Sequence, residues 1–352
     1  MLEQGVNSES GLNRRPVKRI CDPGERKDAI EKARMIINGK LGDNSLLDGK
    51  SKVDQQVQAL PTGILSLDEA IGIGGYPKGR LIEIYGAESS GKTTVALQAV
   101  AKTQKNGGYV GYIDVEQALD PEYATSIGVD ISAMELAQPD SGEDAFYIVE
   151  ELVKTGSFDL LVLDSVAALT PQIEIDGFDK PGMQAQMMSL YLRRLVASVN
   201  KTKTVLLFIN QIRSNVNQLF APTEITPGGV ALKFYASVRI EVKSTEMIRR
   251  SEEGQEREVG KKVCLKTVKN KVASPYKVAT TTNIWGQGFV PSIDIVTVAS
   301  RCNLIGKLGE WYSFNGQKIG RGLFEVQNHL DCLPDILDEI EKKTRESLGF
   351  KD

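Results

Sequence analysis

Residues 81–94 read LIEIYGAESSGKTT, and this stretch decides the fold. Leu81 to Tyr85 predicts a strand, and GKTTVALQAVAKTQ from Gly91 predicts a helix. Between them, Gly86-x-x-x-x-Gly91-Lys92-Thr93 matches the phosphate-loop pattern in full. Its glycines let backbone N–H groups approach phosphates, and the new helix adds its positive end. The candidate nucleotide-binding residues are therefore Gly86, Ala87, Glu88, Ser89, Ser90, Gly91, Lys92, Thr93 and Thr94. Lys92 suits the terminal phosphates and the Thr93 hydroxyl suits Mg²⁺.

Outward from the loop, strand and helix signals alternate from about residue 60 to 285. Tyr109–Val115 reads as a strand, and Ser141-Gly142-Glu143-Asp144 opens a helix with a capping-box pattern. Leu160-Leu161-Val162-Leu163 and Val205-Leu206-Leu207-Phe208-Ile209 are continuous apolar runs, as in strands covered on both faces. This alternation predicts an α/β fold with a mainly parallel central sheet flanked by helices. Phe234–Val242, Val263–Val268 and Val278–Trp285 predict further strands without intervening helices, so the sheet ends antiparallel.

Carboxylates close two of these runs. Asp164 ends Leu160–Leu163, at the sheet edge where ligands bind. It is the candidate metal partner of Thr93, although an Asp there also caps turns. Glu116 follows Tyr112-Ile113-Asp114 and is the first candidate for orienting an attacking water, with Glu88 as a second. Asn210 and Gln211 follow another strand, where an amide reaches a γ-phosphate or merely forms a polar turn.

The chain has 352 residues, and residue counts give a net charge of −3. The chain is not strongly basic overall, as dedicated nucleic-acid binders often are, so any polyanion site is local. No apolar run is long enough for a membrane span, and MLEQGVNSESGLNRRPVKR lacks a secretory h-region. Cys21, Cys264, Cys302 and Cys332 form no CxxC pair, and His329 is the single histidine. No zinc site assembles at standard spacing, the single histidine argues against a Ser-His-Asp or Cys-His centre, and a reducing compartment is expected. The expected organisation is a disordered extension at 1–25, an amphipathic oligomerisation helix and linker at 26–59, the core at 60–289, and a small α/β unit at 290–352. That last unit ends in a helix near Leu333–Leu348.

In order along the chain stand GAESSGKTT (86–94), IDVEQALDPEYA (113–124), DSVAALTP (164–171), FINQIR (208–213), GGVALKFYASVR (228–239) and VKNKVASP (268–275). LGEWYSFNGQKIGRG (308–322) extends the series. The sequence closely resembles the bacterial RecA recombinase family over roughly residues 26 to 348. The resemblance implies a RecA-type P-loop NTPase core and a DNA-dependent ATPase using ATP and Mg²⁺. It implies a helical filament on single-stranded DNA, homologous pairing and strand exchange with double-stranded DNA, and stimulated self-cleavage of a LexA-type repressor. A bacterial cytoplasmic, nucleoid-associated location goes with it.

Position by position, the resemblance implies that Asp164 acts near Mg²⁺ and Glu116 is the catalytic carboxylate. Asp120 and Tyr123 then contact adenine, and Gln211 senses the γ-phosphate. Lys269 and Lys271 reach across a subunit interface onto the neighbour's ATP, in the part an arginine finger plays elsewhere. Phe234 packs into the adjacent subunit. DNA contacts fall to two loops, about 176–183 and 212–227. The implied DNA residues are Met183, Arg193, Arg213, Ser214, Val216, Gly228 and Gly229.

The chain departs from the family in places. The first loop is a few residues shorter than is common, Gln186 stands where a basic residue is frequent, and Val230 where Asn is usual. Residues 36–53 differ from the usual glycine-rich form, and the acidic C-terminal tail is nearly absent. These departures keep a second reading open, a paralogue that binds ATP and DNA with weak or no strand exchange. A replicative helicase or branch-migration relative would carry extra domains and lack the FINQIR and KNK stretches.

Overall fold

The computed structural model describes residues 19–42, 45–46, 57–178, 180–214, 224–252 and 255–350. The chain divides into two compact units, Met1–Gln56 and Val57–Asp352. In the first, a helix runs Pro23–Leu41, starting three residues before the segment expected to hold it. Asp22 caps it by accepting the Glu25 N–H at 2.9 Å, and Pro23 fits the first turn, where no N–H partner is needed. None of its residues is buried.

The second unit opens with a two-residue antiparallel pair, β1 (Ala59–Leu60) with β2 (Tyr76–Pro77). Its main sheet uses β3 (Leu81–Gly86), β4 (Val110–Asp114), β5 (Met134–Ala137), β6 (Leu160–Asp164) and β7 (Val205–Gln211). A second short pair, β8 (Arg213–Ser214) and β9 (Glu224–Ile225), follows. Then come the long strands β10 (Val238–Glu252) and β11 (Gln255–Asn270), β12 (Val278–Ile284) and β13 (Gly288–Phe289). The nine-stranded order is β13-β12-β11-β10-β3-β7-β6-β4-β5. β10, β3, β7, β6, β4 and β5 run parallel, and the β10–β11, β11–β12 and β12–β13 pairings are antiparallel. The expected parallel sheet with an antiparallel end is therefore present.

Because side chains alternate across a strand, each central strand feeds two cores. Leu160, Val162, Val205 and Leu207 join Val95, Leu97 and Val100 of helix Lys92–Lys105 on one face. Leu161, Leu163, Leu206 and Phe208 face helices Gly142–Thr155 and Met183–Thr202 on the other. Ser141 caps the first of these by accepting the Asp144 N–H at 3.1 Å.

One predicted strand start is wrong. Residues Ala231–Tyr235 form a short helix, and β10 begins only at Val238. Ala231 and Leu232 are buried in the second core, so helical turns seat them where an extended chain would not. Lys269 donates to the carbonyls of Lys233 (2.6 Å) and Phe234 (3.0 Å), satisfying the end of that helix.

Toward the C-terminus, helix Pro291–Arg301 is followed by a three-stranded sheet, β14 (Ile305–Leu308), β15 (Trp311–Phe314) and β16 (Gln317–Arg321). Helices Gly322–Asp331 and Pro334–Ser347 complete a third core. Leu65 from a helix before β2 joins it, and Ser66 bonds the buried Asp294 through N–H (2.9 Å) and hydroxyl (2.6 Å). Among the described residues no helix is long and apolar enough to cross a membrane.

Candidate functional site

The parallel register brings the singled-out strand ends to one edge. Gly86 of β3 lies opposite Gln211 of β7, and Asp114 of β4 lies opposite Asp164 of β6. Past β3 the chain turns tightly, with Ser89 at φ 55° and Gly91 at φ 103°. A side chain at Gly86 would meet the Val242 carbonyl oxygen at 2.3 Å, so only glycine fits beside β10.

Here Thr93 donates its hydroxyl to Asp164 Oδ2 at 2.9 Å, and Tyr112 donates to the same oxygen at 2.8 Å. Burial pushes the Asp164 carboxyl up to about 6; the hydrogen bonds from Tyr112 and Thr93 pull it back, and Glu116 and Asp114 add to the rise. Glu116 Oε1 accepts from Gln211 Nε2 at 3.0 Å and from the Ser165 hydroxyl in a short contact. Lys92 Nζ donates to the Ala87 carbonyl at 2.7 Å. Burial lowers the pKa of Lys92, and the carboxylates of Asp164, Glu116 and Glu88 oppose that shift.

Asp114 is not a free carboxylate of this edge. It is 2% exposed and accepts from Ala118 N–H, Leu119 N–H and Gln138 Nε2. That bonding shapes the turn on which Glu116 sits. Asn210 also turns inward, donating to the fully buried Glu83 at 3.0 Å and to the Pro227 carbonyl at 3.2 Å. Glu83 in turn accepts from Arg239 Nε at 2.5 Å.

A cleft of about 320 Å³ beside the loop is lined by Ser89, Gly91, Lys92, Thr93, Thr94, Tyr123, Lys261, Asn283, Trp285 and Gly286. Tyr123 and Thr94 share a hydroxyl–hydroxyl bond at 2.9 Å. Asp120 is not among the lining residues; its carboxylate caps helix Pro121–Ile127, accepting from Glu122 and Tyr123 N–H. The sequence reading missed Tyr112, Ser165, Lys261, Asn283 and Trp285. Only Ser165, next to Asp164, had a signal nearby.

The remaining positions lie elsewhere. Lys269 and Lys271 both donate to the Phe234 carbonyl, at 3.0 and 3.4 Å, and Phe234 is 72% exposed. Neither lysine lines the cleft. Gly228 and Gly229 hold φ of 82° and 73°, and Gly228 N–H donates to Gln184 Oε1 at 3.1 Å. Gln184 also donates to the Val166 and Leu169 carbonyls, both at 2.9 Å, pinning this turn to the segment after β6. Met183 opens its helix, and Arg193, Gln186 and Val230 are exposed. Arg213 lies in β8. Val216 falls outside the described residues, as does the side chain of Ser214.

Two family models match this chain, the RecA N-terminal domain over residues 28–290 and the RecA C-terminal domain over 293–349. The chain belongs to the RecA family. It is 60% identical over 334 residues to a plasmid RecA of Lactococcus lactis subsp. lactis, covering 95% of this chain and 97% of that protein. It is 48% identical over 329 residues to RecA of Streptococcus pyogenes serotype M49 (strain NZ131), covering 93% of this chain and 87% of that one. A crystal structure of the RadB recombinase matches with TM-score 0.50 at 22% identity, over 65% of this chain and 98% of that one. That likeness concerns the fold. A RecA-family member with an intact phosphate loop is a recombinase ATPase of the DNA-dependent kind.

Proposed function

We propose that this RecA-family chain binds ATP with Mg²⁺, polymerises as a helical filament on single-stranded DNA, and pairs and exchanges strands with homologous duplex. We propose also that the filament promotes self-cleavage of a LexA-type repressor. The observation that carries the proposal is the hydrogen-bonded row across the strand ends. Thr93, Asp164 and Tyr112 form one link, and Ser165, Glu116 and Gln211 the other. Gln211 leads directly into segment 212–227, so the group facing the nucleotide and the segment proposed for DNA are covalently adjacent.

Each residue has a role within this proposal. Backbone N–H groups from Gly86 to Thr94 and the Lys92 ammonium hold the phosphates. Thr93 and Asp164 fit Mg²⁺, which keeps several waters, uses one or two protein oxygens and fills its shell with phosphate oxygens. Among the described residues no cluster of three His, Cys, Asp or Glu competes for a metal. When bound, the cation neutralises charge on the phosphates. Glu116, held by two donors, orients the attacking water, and Gln211 shares that carboxylate until a γ-phosphate competes for its amide. Tyr123 and Asp120 serve the base.

Lys269 and Lys271 lie on the exposed Phe234 patch and away from this chain's cleft. That placement supports action on a neighbouring subunit's nucleotide. Met183, Arg193, Arg213, Ser214, Val216, Gly228 and Gly229 are the proposed DNA contacts.

The test is ATP hydrolysis with and without single-stranded DNA, with Lys92→Ala as the blank. Strong stimulation that Lys269→Ala abolishes is expected. Hydrolysis indifferent to DNA would refute the filament reading. Stimulated hydrolysis without strand exchange would favour the paralogue reading, with Gln186 and the exposed Val230 as the first positions to revert.

A further inference from the structure

Lys261 belongs to no part of the machinery just described, yet its ammonium sits at the phosphate loop. It comes from β11, in the antiparallel half of the sheet, opposite Asn283 of β12. Its Nζ donates to the Ser89 carbonyl in a short contact. Ser89 is the non-glycine loop residue with positive φ. Lys261 lines the same cleft as Lys92, Thr93 and Tyr123. It lies close enough to Lys92 that its charge helps to lower the Lys92 pKa, and partial burial lowers its own.

Two ammonium groups held at one cleft repel each other, and a site with no anionic ligand gains nothing from the arrangement. The other wall groups sharpen the point. Asn283 is 5% exposed and Trp285 is half exposed, so β11, β12 and the residue that follows β12 bring a cation, an amide and an aromatic ring to the cleft. The Ser89 carbonyl is a weak, neutral partner for an ammonium. A phosphate oxygen in its place is a charged one, and charge-assisted bonds are about twice as strong as neutral ones.

We propose that Lys261 is a second phosphate-binding cation, reaching the anionic chain of the nucleotide from β11 in addition to Lys92. This rests on the nucleotide-binding reading above and adds a residue that tunes affinity by ligand charge. Bound nucleotide draws the ammonium off the Ser89 carbonyl onto a phosphate oxygen. The site then favours highly charged nucleotides over adenosine by more than the phosphate loop alone provides.

The test measures the Kd of MgATP and of adenosine on the full chain by calorimetry, for wild type, Lys261→Met, Lys261→Arg and Lys92→Ala. Lys261→Met keeps the stem's bulk and removes the charge. The expected result is MgATP binding weakened about tenfold, the size of one lost charge-assisted bond. Adenosine binding is unchanged, Lys261→Arg restores most of the loss, and added salt narrows the gap between wild type and Lys261→Met. Equal losses for MgATP and adenosine would mean that Lys261 only packs the wall, and the proposal would fall. Unchanged MgATP affinity in Lys261→Met alongside a loss in Lys92→Ala would overturn this inference and leave the nucleotide site standing. No MgATP binding by the wild type would sink both.

Discussion

At the scale of single residues the site turns on one carboxylate. Asp164 is 8% exposed, and burial holds its pKa near 6. Metal binding needs the ionised form, so hydrolysis at subsaturating MgATP should fall as pH drops below about 6, and Asp164→Asn should abolish it. A pH profile of turnover under saturating single-stranded DNA checks this. The stability of the nucleotide-free chain should move the other way. The folded pKa is raised from 3.8, so this group's stabilising contribution is full below about 4 and lost as pH rises through about 6. Denaturation of wild type and Asp164→Asn across that window separates the two effects. Tyr112 donates to the same oxygen at 2.8 Å, so Tyr112→Phe should raise the Asp164 pKa and shift the hydrolysis profile to higher pH.

At the scale of elements the central strands are joined by a buried polar link. Glu83 of β3 is fully buried and accepts from Asn210 of β7 and Arg239 of β10. Arg239 also lies over the Tyr85 ring at 4.6 Å. Replacing Glu83 with Ala leaves a mostly buried guanidinium and an amide without that acceptor, which costs about 3–5 kcal/mol. Urea unfolding of Glu83→Ala should show a loss of this size, while Glu83→Gln, which keeps an acceptor, should lose less. Much of the fold at this level was legible beforehand. Runs such as Leu160–Leu163 carry their own strand signal, and Gly86 to Thr93 carries its own turn. The helix Ala231–Tyr235 was not legible, because FYASVRIEV reads as one strand until Leu232 is seen buried in the second core.

For the second unit as a whole, one buried ion pair ties the last helix to the start of the core. Arg345 donates to Asp68 at 2.7 Å and to the Gly74 carbonyl at 2.6 Å, and both side chains are nearly inaccessible. Burial pushes Asp68 up to about 6 even with Arg345 beside it, so the carboxyl depends on that partner to stay ionised. Arg345→Ala should therefore cost about 3–5 kcal/mol. Hydrogen exchange should locate the loss in helix Pro334–Ser347 and in the residues around Asp68. Uniform protection across that helix in the variant would contradict this assignment.

The sequence by itself determined the α/β class and membership of a family with these motifs in order, and it pointed to the phosphate-loop pattern and to Glu116 and Asp164 as candidate site residues. Each is written in a few consecutive residues, where local backbone preference and apolar period act without help from distant chain. Only the tertiary structure decided which side chains share the cleft. Lys261 meets Ser89 across 172 positions of sequence, and Tyr112 meets Asp164 across 52. Such pairs depend on sheet order and register, set by the packing of two cores against nine strands. No local pattern of residues encodes that register.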